Sequence, residues 1–266
     1  MELRFQASGR NGYEPIIIDS PALDYLNEFG ILRLGAGQEY DRFTGDCEAL
    51  LHVVEGCCSV QVGADCFDDM GERKRPFSGR PAALYLPPQT AFTVHCDESV
   101  EATLTFARAE GTGKRRPVRP QPVRAEDVAP KVVGKDNWQR TVTMIAPPEF
   151  PSQKLILGET VNPPGNWSGA PAHKHDALRP GVESVHEELY YFRVDRPGGW
   201  GLLRIYDKGD LDEMILLVDR TVTLIPRGYH TVSAAPGYTL YYTFLMAGPD
   251  KKVQVFVDPD QAWINE

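Results

Sequence analysis

The chain has 266 residues, of which 42% are hydrophobic and 24% are charged, so its composition is that of an ordinary globular protein and excludes a disordered or fibrous class. Its formal net charge of −9 and its pI of about 5.2 argue against nucleic acid or an anionic membrane as a partner, because both need a basic surface. The opening sequence MELRFQASGRNGYEP lacks the basic segment and apolar run of a signal peptide. We therefore expect a cytoplasmic protein.

Short β-rich runs bounded by Gly, Pro and Asp dominate the first half of the chain. They include ALLHVVEGCCSVQV, AALYLPP and FTVHC, and each has the length and composition of one or two strands. The five cysteines also lie in this half, in an odd number and without metal-ligand spacing, so we expect reduced thiols packed as small hydrophobic residues. The first half is predicted to be all-β.

A segment rich in Pro and Arg, residues 110–130, separates this half from a second set of strands. The second set comprises EELYYFRV, GLLRIY, EMILLV, TVTLIPRGYHTV and TLYYTFLMAG. We place the boundary near residue 125, which predicts an N-terminal domain of residues 1–125 and a C-terminal domain of residues 126–266.

A weak internal repeat supports this division. Residues 86–94 (LPPQTAFTV) in the first half match residues 225–232 (IPRGYHTV) in the second, with one residue of slippage. In this alignment Phe92 occupies the place of His230. The repeat predicts one fold used twice, with an apolar interior in the first copy and polar groups in the second.

Four of the six histidines fall between residues 173 and 230, and His173 and His175 are two residues apart in a predicted strand. Side chains at i and i+2 point to the same face of a strand, about 7 Å apart, so both imidazoles can approach one ion. His230 follows a Pro-Arg-Gly-Tyr turn that can bring a third imidazole to the same place. We predict that these three histidines bind a metal.

Glu188, at the start of the strand EELYYFRV, is the predicted fourth ligand. Three nitrogens and one oxygen suit zinc foremost, and also Mn, Fe, Co or Ni. Glu183, His186 and Glu187 lie close enough in sequence to replace Glu188 if the strand begins elsewhere. We expect His186 and Glu187 to orient the ligands or face the substrate.

Arg204 and Tyr206 share one face of the strand GLLRIY. An Arg among Leu, Ile and Tyr residues needs an anionic partner, so we predict that Arg204 binds a substrate carboxylate beside Tyr206. The alternative is an internal ion pair between Arg204 and an Asp or Glu.

The pattern of His-x-His, a downstream Glu and a later Pro-x-Gly-x-His resembles the cupin motif. The words NWSGAPAHKHD, EELYYFR, RIYD, PRGYHTVSAAPGY and MAGPD resemble the 5-deoxy-glucuronate isomerase family of myo-inositol catabolism. That family is related to 4-deoxy-L-threo-5-hexosulose-uronate ketol-isomerase. The resemblance implies a bicupin of two tandem cupin (double-stranded β-helix or jelly-roll) barrels, with a metal-free N-terminal barrel and a metal site in the C-terminal one.

The resemblance also implies an aldose-ketose isomerase that converts 5-deoxy-glucuronate, a small sugar acid, to 2-deoxy-5-keto-gluconate. Such a step needs an electrophile, which the metal supplies, and a group that shuttles a proton. The candidates for the proton shuttle are Glu187, His186, Tyr190 and Tyr229. Cupins commonly pair through sheet edges, so we expect a homo-oligomer.

Two other functions fit the same histidines. A metal-dependent cupin dioxygenase would consume oxygen, which an isomerase does not. A non-catalytic sugar-binding cupin would bind a sugar without turning it over.

Overall fold

The computed structural model describes residues 2–109 and 119–265. β-strands dominate these residues, which also form short 3-10 helices at Ala125–Asp127, Asp136–Trp138 and Pro259–Asn265. None of the helices in the described ranges is long and apolar enough to cross a membrane. The prediction of an all-β protein is confirmed.

The strands of the first half alternate with tight turns, as their sequence runs indicate. In chain order they are β1 (Arg4–Gln6), β2 (Gly12–Ile18), β3 (Leu26–Gly35), β4 (Gln38–Phe43), β5 (Cys47–Gly56), β6 (Cys58–Val62), β7 (Asp65–Met70), β8 (Ala82–Leu86), β9 (Ala91–Cys96), β10 (Ser99–Arg108), β11 (Gln121–Val123) and β12 (Lys131–Val133).

The second half of the chain also consists mainly of short strands. Its strands are β13 (Arg140–Ala146), β14 (Ile156–Asn162), β15 (Trp167–Lys174), β16 (Asp176–Arg179), β17 (Glu183–Val185), β18 (Glu187–Val194), β19 (Gly201–Tyr206), β20 (Asp212–Leu217), β21 (Thr221–Ile225), β22 (Tyr229–Ala234), β23 (Leu240–Ala247) and β24 (Phe256–Val257).

The chain divides into two compact units whose boundaries differ in detail from the predicted ones. The N-terminal unit comprises Ala7–Ala129 and Met144–Ile156, and the C-terminal unit comprises the segment ending at Gln6, Pro130–Thr143 and the segment from Leu157 onward. The main crossing thus lies after Ala129 rather than at residue 125, because β11 in the predicted linker pairs with β8. Residues 110–118 of that linker lie outside the described residues.

The N-terminal unit contains a six-stranded sheet in the order β11-β8-β5-β10-β3-β2 and a four-stranded sheet in the order β4-β9-β6-β7. Alternate residues of these strands, such as Leu51, Leu84 and Leu104, form one apolar core. Phe92, the second residue of β9, is buried in this core. The position that matches His230 in the repeat is therefore used for hydrophobic packing.

The C-terminal unit contains a seven-stranded sheet, which includes β13 and β14, in the order β1-β21-β18-β23-β14-β13-β12. A five-stranded sheet in the order β20-β19-β22-β15-β24 and the hairpin β16-β17 complete the unit. In β18, Glu188, Tyr190 and Phe192 point to one face of the sheet, and Leu189 and Tyr191 to the other. This alternation decides which residues of β18 reach the site described next.

Candidate metal centre and active site

The histidines of β15 and β22 meet because the two strands pair with His173 directly opposite His230. The centres of these two rings are 4.8 Å apart. His175 follows immediately after β15, and its ring centre lies 5.3 Å from that of His230 and 6.3 Å from that of His173. The spacing of His-x-His thus places both rings on the side of His230.

The turn before His230 depends on Gly228. Its φ of +92° is a backbone conformation that residues with a side chain rarely adopt, and a Cβ atom there would lie 2.8 Å from the carbonyl oxygen of Tyr206. The Gly228 N–H donates a hydrogen bond to Asp176 Oδ2, at 2.7 Å. These contacts fix the start of β22 and therefore the position of His230.

Glu188 completes a close group with His175 and His230. Glu188 Oε2 lies 3.2 Å from the Nε2 atoms of both imidazoles. One ligand atom from each of the three buried residues lies within 4.8 Å of the others, and this is the only such group of three among the described residues. His173 stands beside this group rather than within it.

Each of the three histidines turns its Nδ1 atom toward a main-chain carbonyl. His175 Nδ1 is 2.7 Å from the His186 oxygen, His230 Nδ1 is 3.3 Å from the Gly228 oxygen, and His173 Nδ1 is 3.5 Å from the Pro171 oxygen. Contacts of this kind orient histidine ligands in metal sites. They turn the Nε2 atoms of His175 and His230 toward Glu188 Oε2.

An ionised carboxylate faces the imidazoles of the group. Burial opposes the ionisation of Glu188, but the facing His175 and His230 rings outweigh it and hold the pKa of the carboxyl well below its usual range. Burial and the neighbouring imidazoles lower the pKa of His173 to about 3, so this ring is neutral. Burial lowers the pKa of His175, but Glu188 outweighs it and the net direction is upward.

One atom tests directly whether these residues fit a metal. His230 Nε2 is buried and forms no hydrogen bond with the described residues, although Glu188 Oε2 lies 3.2 Å away. A buried polar nitrogen without a partner is costly and rare. A cation held by His230, Glu188 and His175 would satisfy it, so the residues fit a metal ion.

The long spacing between His175 and Glu188 is explained by the hairpin β16-β17. Glu183 in this hairpin accepts hydrogen bonds from Lys174 Nζ at 2.8 Å, from the Asp176 N–H at 3.0 Å and from the Ala177 N–H at 3.1 Å, and it also pairs with Arg179. Its carboxylate is therefore fully used. The structure excludes Glu183 from the close group and leaves Glu188 as the acid.

His186 and Glu187, two of the predicted proton carriers, do not enter the close group. The His186 ring contacts Ser184 Oγ through Nδ1 and the Asp250 carbonyl oxygen through Nε2, both at 3.0 Å. Its main-chain oxygen nevertheless orients His175. Glu187 precedes Glu188 in β18, so its side chain points to the opposite face of the sheet.

Tyr190 is the one predicted proton carrier that the structure brings to the close group. Its hydroxyl donates to Glu188 Oε2 at 3.1 Å, and its ring centre lies 6.2 Å from that of His230. Burial and the charge of Glu188 raise the pKa of Tyr190 well above its ordinary value, so the hydroxyl keeps its proton. Tyr190 therefore holds a proton beside the candidate metal ligands.

The wall next to Tyr190 contains polar residues that sequence reasoning missed. The Tyr242 ring packs 4.7 Å from the Tyr190 ring, and its hydroxyl donates to Ser168 Oγ at 2.8 Å. Asn162 Nδ2 donates to the same Ser168 oxygen at 3.0 Å. In the sequence, the alternation of side chains along the run TLYYTFLMAG indicates only which residues share a face. The pairing of Phe192 with Tyr242 shows that Tyr242 is on the face of Glu188 and Tyr190.

Tyr229, Arg204 and Tyr206 lie away from the histidines, which corrects the prediction for these three residues. His230 pairs with Ile205, whereas Tyr229 pairs with Tyr206, so Tyr229 and Tyr206 point to the opposite face of the sheet. The centres of their rings lie 5.5 Å apart on that face.

Arg204 forms the internal ion pair that was the alternative prediction. Its Nε and Nη2 atoms donate to the two carboxylate oxygens of Asp212 at 2.9 and 3.0 Å. Tyr206 donates its hydroxyl to Asp258 Oδ2 at 2.6 Å. The structure therefore does not bring Arg204 or Tyr206 to the candidate metal centre.

Two antiparallel β units define a bicupin: one has an apolar interior, and the other brings three histidines and a glutamate together as the one candidate metal centre in the described part of the chain. The model of the KduI/IolB family matches residues 6–264, and the chain belongs to this family. The resemblance drawn from the sequence is thereby confirmed.

Curated relatives and solved structures agree with this assignment. The chain is 33% identical to a 5-deoxy-glucuronate isomerase of Geobacillus kaustophilus over 93% of the chain and 88% of that protein. It is 32% identical to the 5-deoxy-glucuronate isomerase of Bacillus subtilis strain 168 over 90% of the chain and 88% of that protein.

Among solved structures, an IolB-like protein of Salmonella typhimurium has a TM-score of 0.94 at 30% identity, and the match covers both chains completely. An oxalate decarboxylase of Lactobacillus farciminis has a TM-score of 0.70 at 14% identity, covering 97% of this chain and 88% of that one. The latter likeness shows a shared fold.

Proposed function

We propose that this chain isomerises 5-deoxy-glucuronate to 2-deoxy-5-keto-gluconate in inositol catabolism. The names of relatives that match about nine tenths of the chain support this substrate and this reaction. The observation that carries the proposal is the meeting of His175, Glu188 and His230 beside the protonated hydroxyl of Tyr190. An aldose-ketose exchange needs an electrophile, a base that takes the proton from C2 and returns it to C1, and a donor that protonates oxygen; Tyr190 suits the last of these roles.

We also propose that the site holds a divalent metal, zinc foremost, with Mn, Fe, Co or Ni as alternatives. His175, Glu188 and His230 would hold the ion, with His173 as the fourth ligand. A bound metal would supply a Lewis acid that polarises the substrate carbonyl and stabilises developing negative charge on oxygen. The unpartnered Nε2 of His230 supports this part of the proposal.

The reaction moves one hydrogen from C2 to C1 of the sugar and one proton from the C2 hydroxyl to the C1 oxygen. Tyr190 is the group that we assign to proton handling at the oxygen atoms. Its Oη keeps a proton because burial and Glu188 raise the pKa of the phenol, so it can donate to the C1 oxygen as negative charge develops there. Tyr242 packs against the Tyr190 ring and holds it in place.

Proton NMR of the purified protein with 5-deoxy-glucuronate tests the proposal. The aldehyde signal should disappear with metal-loaded protein and persist after a chelator has removed the metal, and re-addition of the metal should restore turnover. Persistence of the aldehyde in the metal-loaded sample refutes the isomerase. Oxygen uptake that matches substrate loss would identify a dioxygenase instead, and binding without turnover would identify a sugar-binding protein.

The predicted homo-oligomer and the cytoplasmic location are also part of this proposal. Light scattering coupled to size-exclusion chromatography measures the first, because a monomer of this chain has a mass of 29.6 kDa.

A further inference from the structure

One arginine near Tyr190 and Tyr242 has no carboxylate partner among the residues that the structure describes. Arg140 opens β13, in the same sheet as β18 and β23, which carry Tyr190 and Tyr242. The carbonyl oxygen of Gln139, the residue before Arg140, accepts a hydrogen bond from Asn166 Nδ2 at 2.7 Å. Ser168, two residues after Asn166, accepts a hydrogen bond from the Tyr242 hydroxyl at 2.8 Å. The start of β13 therefore lies close to the Tyr242 end of the site.

The side chain of Arg140 is partly buried, and its guanidinium has few polar contacts. Its Nε is buried without a hydrogen-bond partner, and Nη1 makes one long bond of 3.3 Å to the Trp138 carbonyl oxygen. The group also lies 5.7 Å from the centre of the Trp138 ring. No carboxylate in the described part of the chain pairs with it, whereas Arg193 and Arg204 each have an aspartate.

A partly buried guanidinium that has no carboxylate beside it is suited to an anionic ligand. Its planar donors suit two parallel hydrogen bonds to a carboxylate. The Nε of Arg140, which has no hydrogen-bond partner among the described residues, could supply one of these two bonds.

A second unpartnered atom in this unit points to the same class of ligand. Asn162 is fully buried, and its Oδ1 has no hydrogen-bond partner among the residues described, while its Nδ2 is bonded to Ser168 beside Tyr242. An unsatisfied acceptor suits a hydroxyl group, and an unsatisfied guanidinium suits a carboxylate. A polyhydroxy acid offers both.

We propose that Arg140 binds the carboxylate of the sugar acid and so selects acids over neutral sugars, with Asn162 accepting a hydrogen bond from a substrate hydroxyl. This inference rests on the proposed function. In 5-deoxy-glucuronate the carboxylate is at the opposite end of the carbon chain from the aldehyde. The substrate would then extend from the close group of His175, Glu188 and His230 past Tyr190 and Tyr242 to Arg140.

The test compares Arg140→Gln and Arg140→Lys with the wild type. Loss of a charge-assisted pair should raise KM for 5-deoxy-glucuronate about 10- to 100-fold in Arg140→Gln, with a smaller change in kcat. Arg140→Lys should recover part of the loss because it keeps the charge. Arg196→Gln is the matched control, because Arg196 is exposed and, within residues 2–109 and 119–265, pairs with its neighbour Asp195 alone.

A substrate without the carboxylate separates charge recognition from a structural role. With 5-deoxy-glucose, which carries a hydroxymethyl group in place of the carboxylate, Arg140→Gln and wild type should have the same kcat/KM. Bound metal, measured by mass spectrometry, should be the same in both proteins. Equal losses with the acid and with the neutral sugar would overturn the proposal.

Binding of D-glucuronate, measured by calorimetry, tests Arg140 without relying on turnover. Weaker binding by Arg140→Gln than by wild type and Arg196→Gln supports the proposal even if the wild type fails to isomerise 5-deoxy-glucuronate. In that case the proposed reaction fails and the assignment of Arg140 stands. Indistinguishable calorimetric behaviour of wild type and Arg140→Gln overturns the assignment.

Discussion

Replacing His230 with alanine separates the metal-binding role of this residue from its contribution to packing. In the metal-free protein the substitution removes a buried Nε2 that has no partner, which relieves a cost of about 1–3 kcal/mol. It also removes the packing of a fully buried ring, whose loss costs a similar amount, about 2–3 kcal/mol. The two effects oppose each other, so the stability of the metal-free protein should change by only about 1–2 kcal/mol.

The metal-bound protein should respond more strongly, because His230 faces Glu188 and His175 across the site. A metal present at about 1,000 times its Kd adds about 4.1 kcal/mol to the free energy of unfolding. Loss of a ligand should weaken affinity at least about 100-fold, the upper end of the effect of losing an outer partner. The metal would then add only about 1.4 kcal/mol, and the metal-induced rise in Tm would shrink by roughly 5–10 °C.

Differential scanning calorimetry with and without a chelator measures this difference, and mass spectrometry measures the bound metal. His95→Ala is the matched control, because His95 lies in the N-terminal unit and pairs with Glu39 at the surface. The reasoning fails if His230→Ala retains a full equivalent of metal and the same metal-induced rise in Tm as wild type and His95→Ala.

Three further substitutions have separate expected outcomes. Tyr190→Phe should keep its metal but lower kcat about 10²- to 10⁴-fold, because it removes the proton held beside Glu188. Arg204→Gln should leave KM unchanged, because Arg204 lies on the face opposite the histidines. Glu48→Ala should lower the free energy of unfolding by at least about 3 kcal/mol, because three main-chain N–H groups and the Tyr85 hydroxyl lose their buried acceptor.

Each of these outcomes can be contradicted by one measurement. NMR turnover of Tyr190→Phe at the wild-type rate would remove the tyrosine from the proton-handling role. A large rise in KM of Arg204→Gln, with its fold intact by circular dichroism, would restore the substrate-binding prediction for that residue. Urea unfolding of Glu48→Ala at the wild-type midpoint would show that its carboxylate contributes little to the N-terminal unit.

Local patterns in the sequence were enough to predict the fold class and to identify the histidines of the candidate metal centre. The alternation of short apolar runs and turns predicts strands because side chains alternate along a strand. The same periodicity puts His173 and His175 on one face, and the repeat sets His230 against Phe92. These inferences depend only on neighbours in the chain.

The choice among the acids required the structure. Glu183, Glu187 and Glu188 lie within six positions of one another, and sequence spacing does not separate them. The carboxylate of Glu183 accepts hydrogen bonds within and beside the hairpin β16-β17. The register of β18 with β21 and β23 turns the side chain of Glu188 toward His230 and that of Glu187 away from it. A shift of one residue in that register would exchange the two acids.

The sequence by itself thus determined the strands, their alternation and a set of histidines able to share an ion. Only the tertiary structure decided which face of each strand is the inner one, because that choice depends on pairing between strands distant in the chain. Arg204 and Tyr206 share a face, as predicted, but it is the outer one. Arg140 and Tyr242 could be related to Tyr190 only from the structure, because β13, β23 and β18 belong to one sheet although they are distant in the chain.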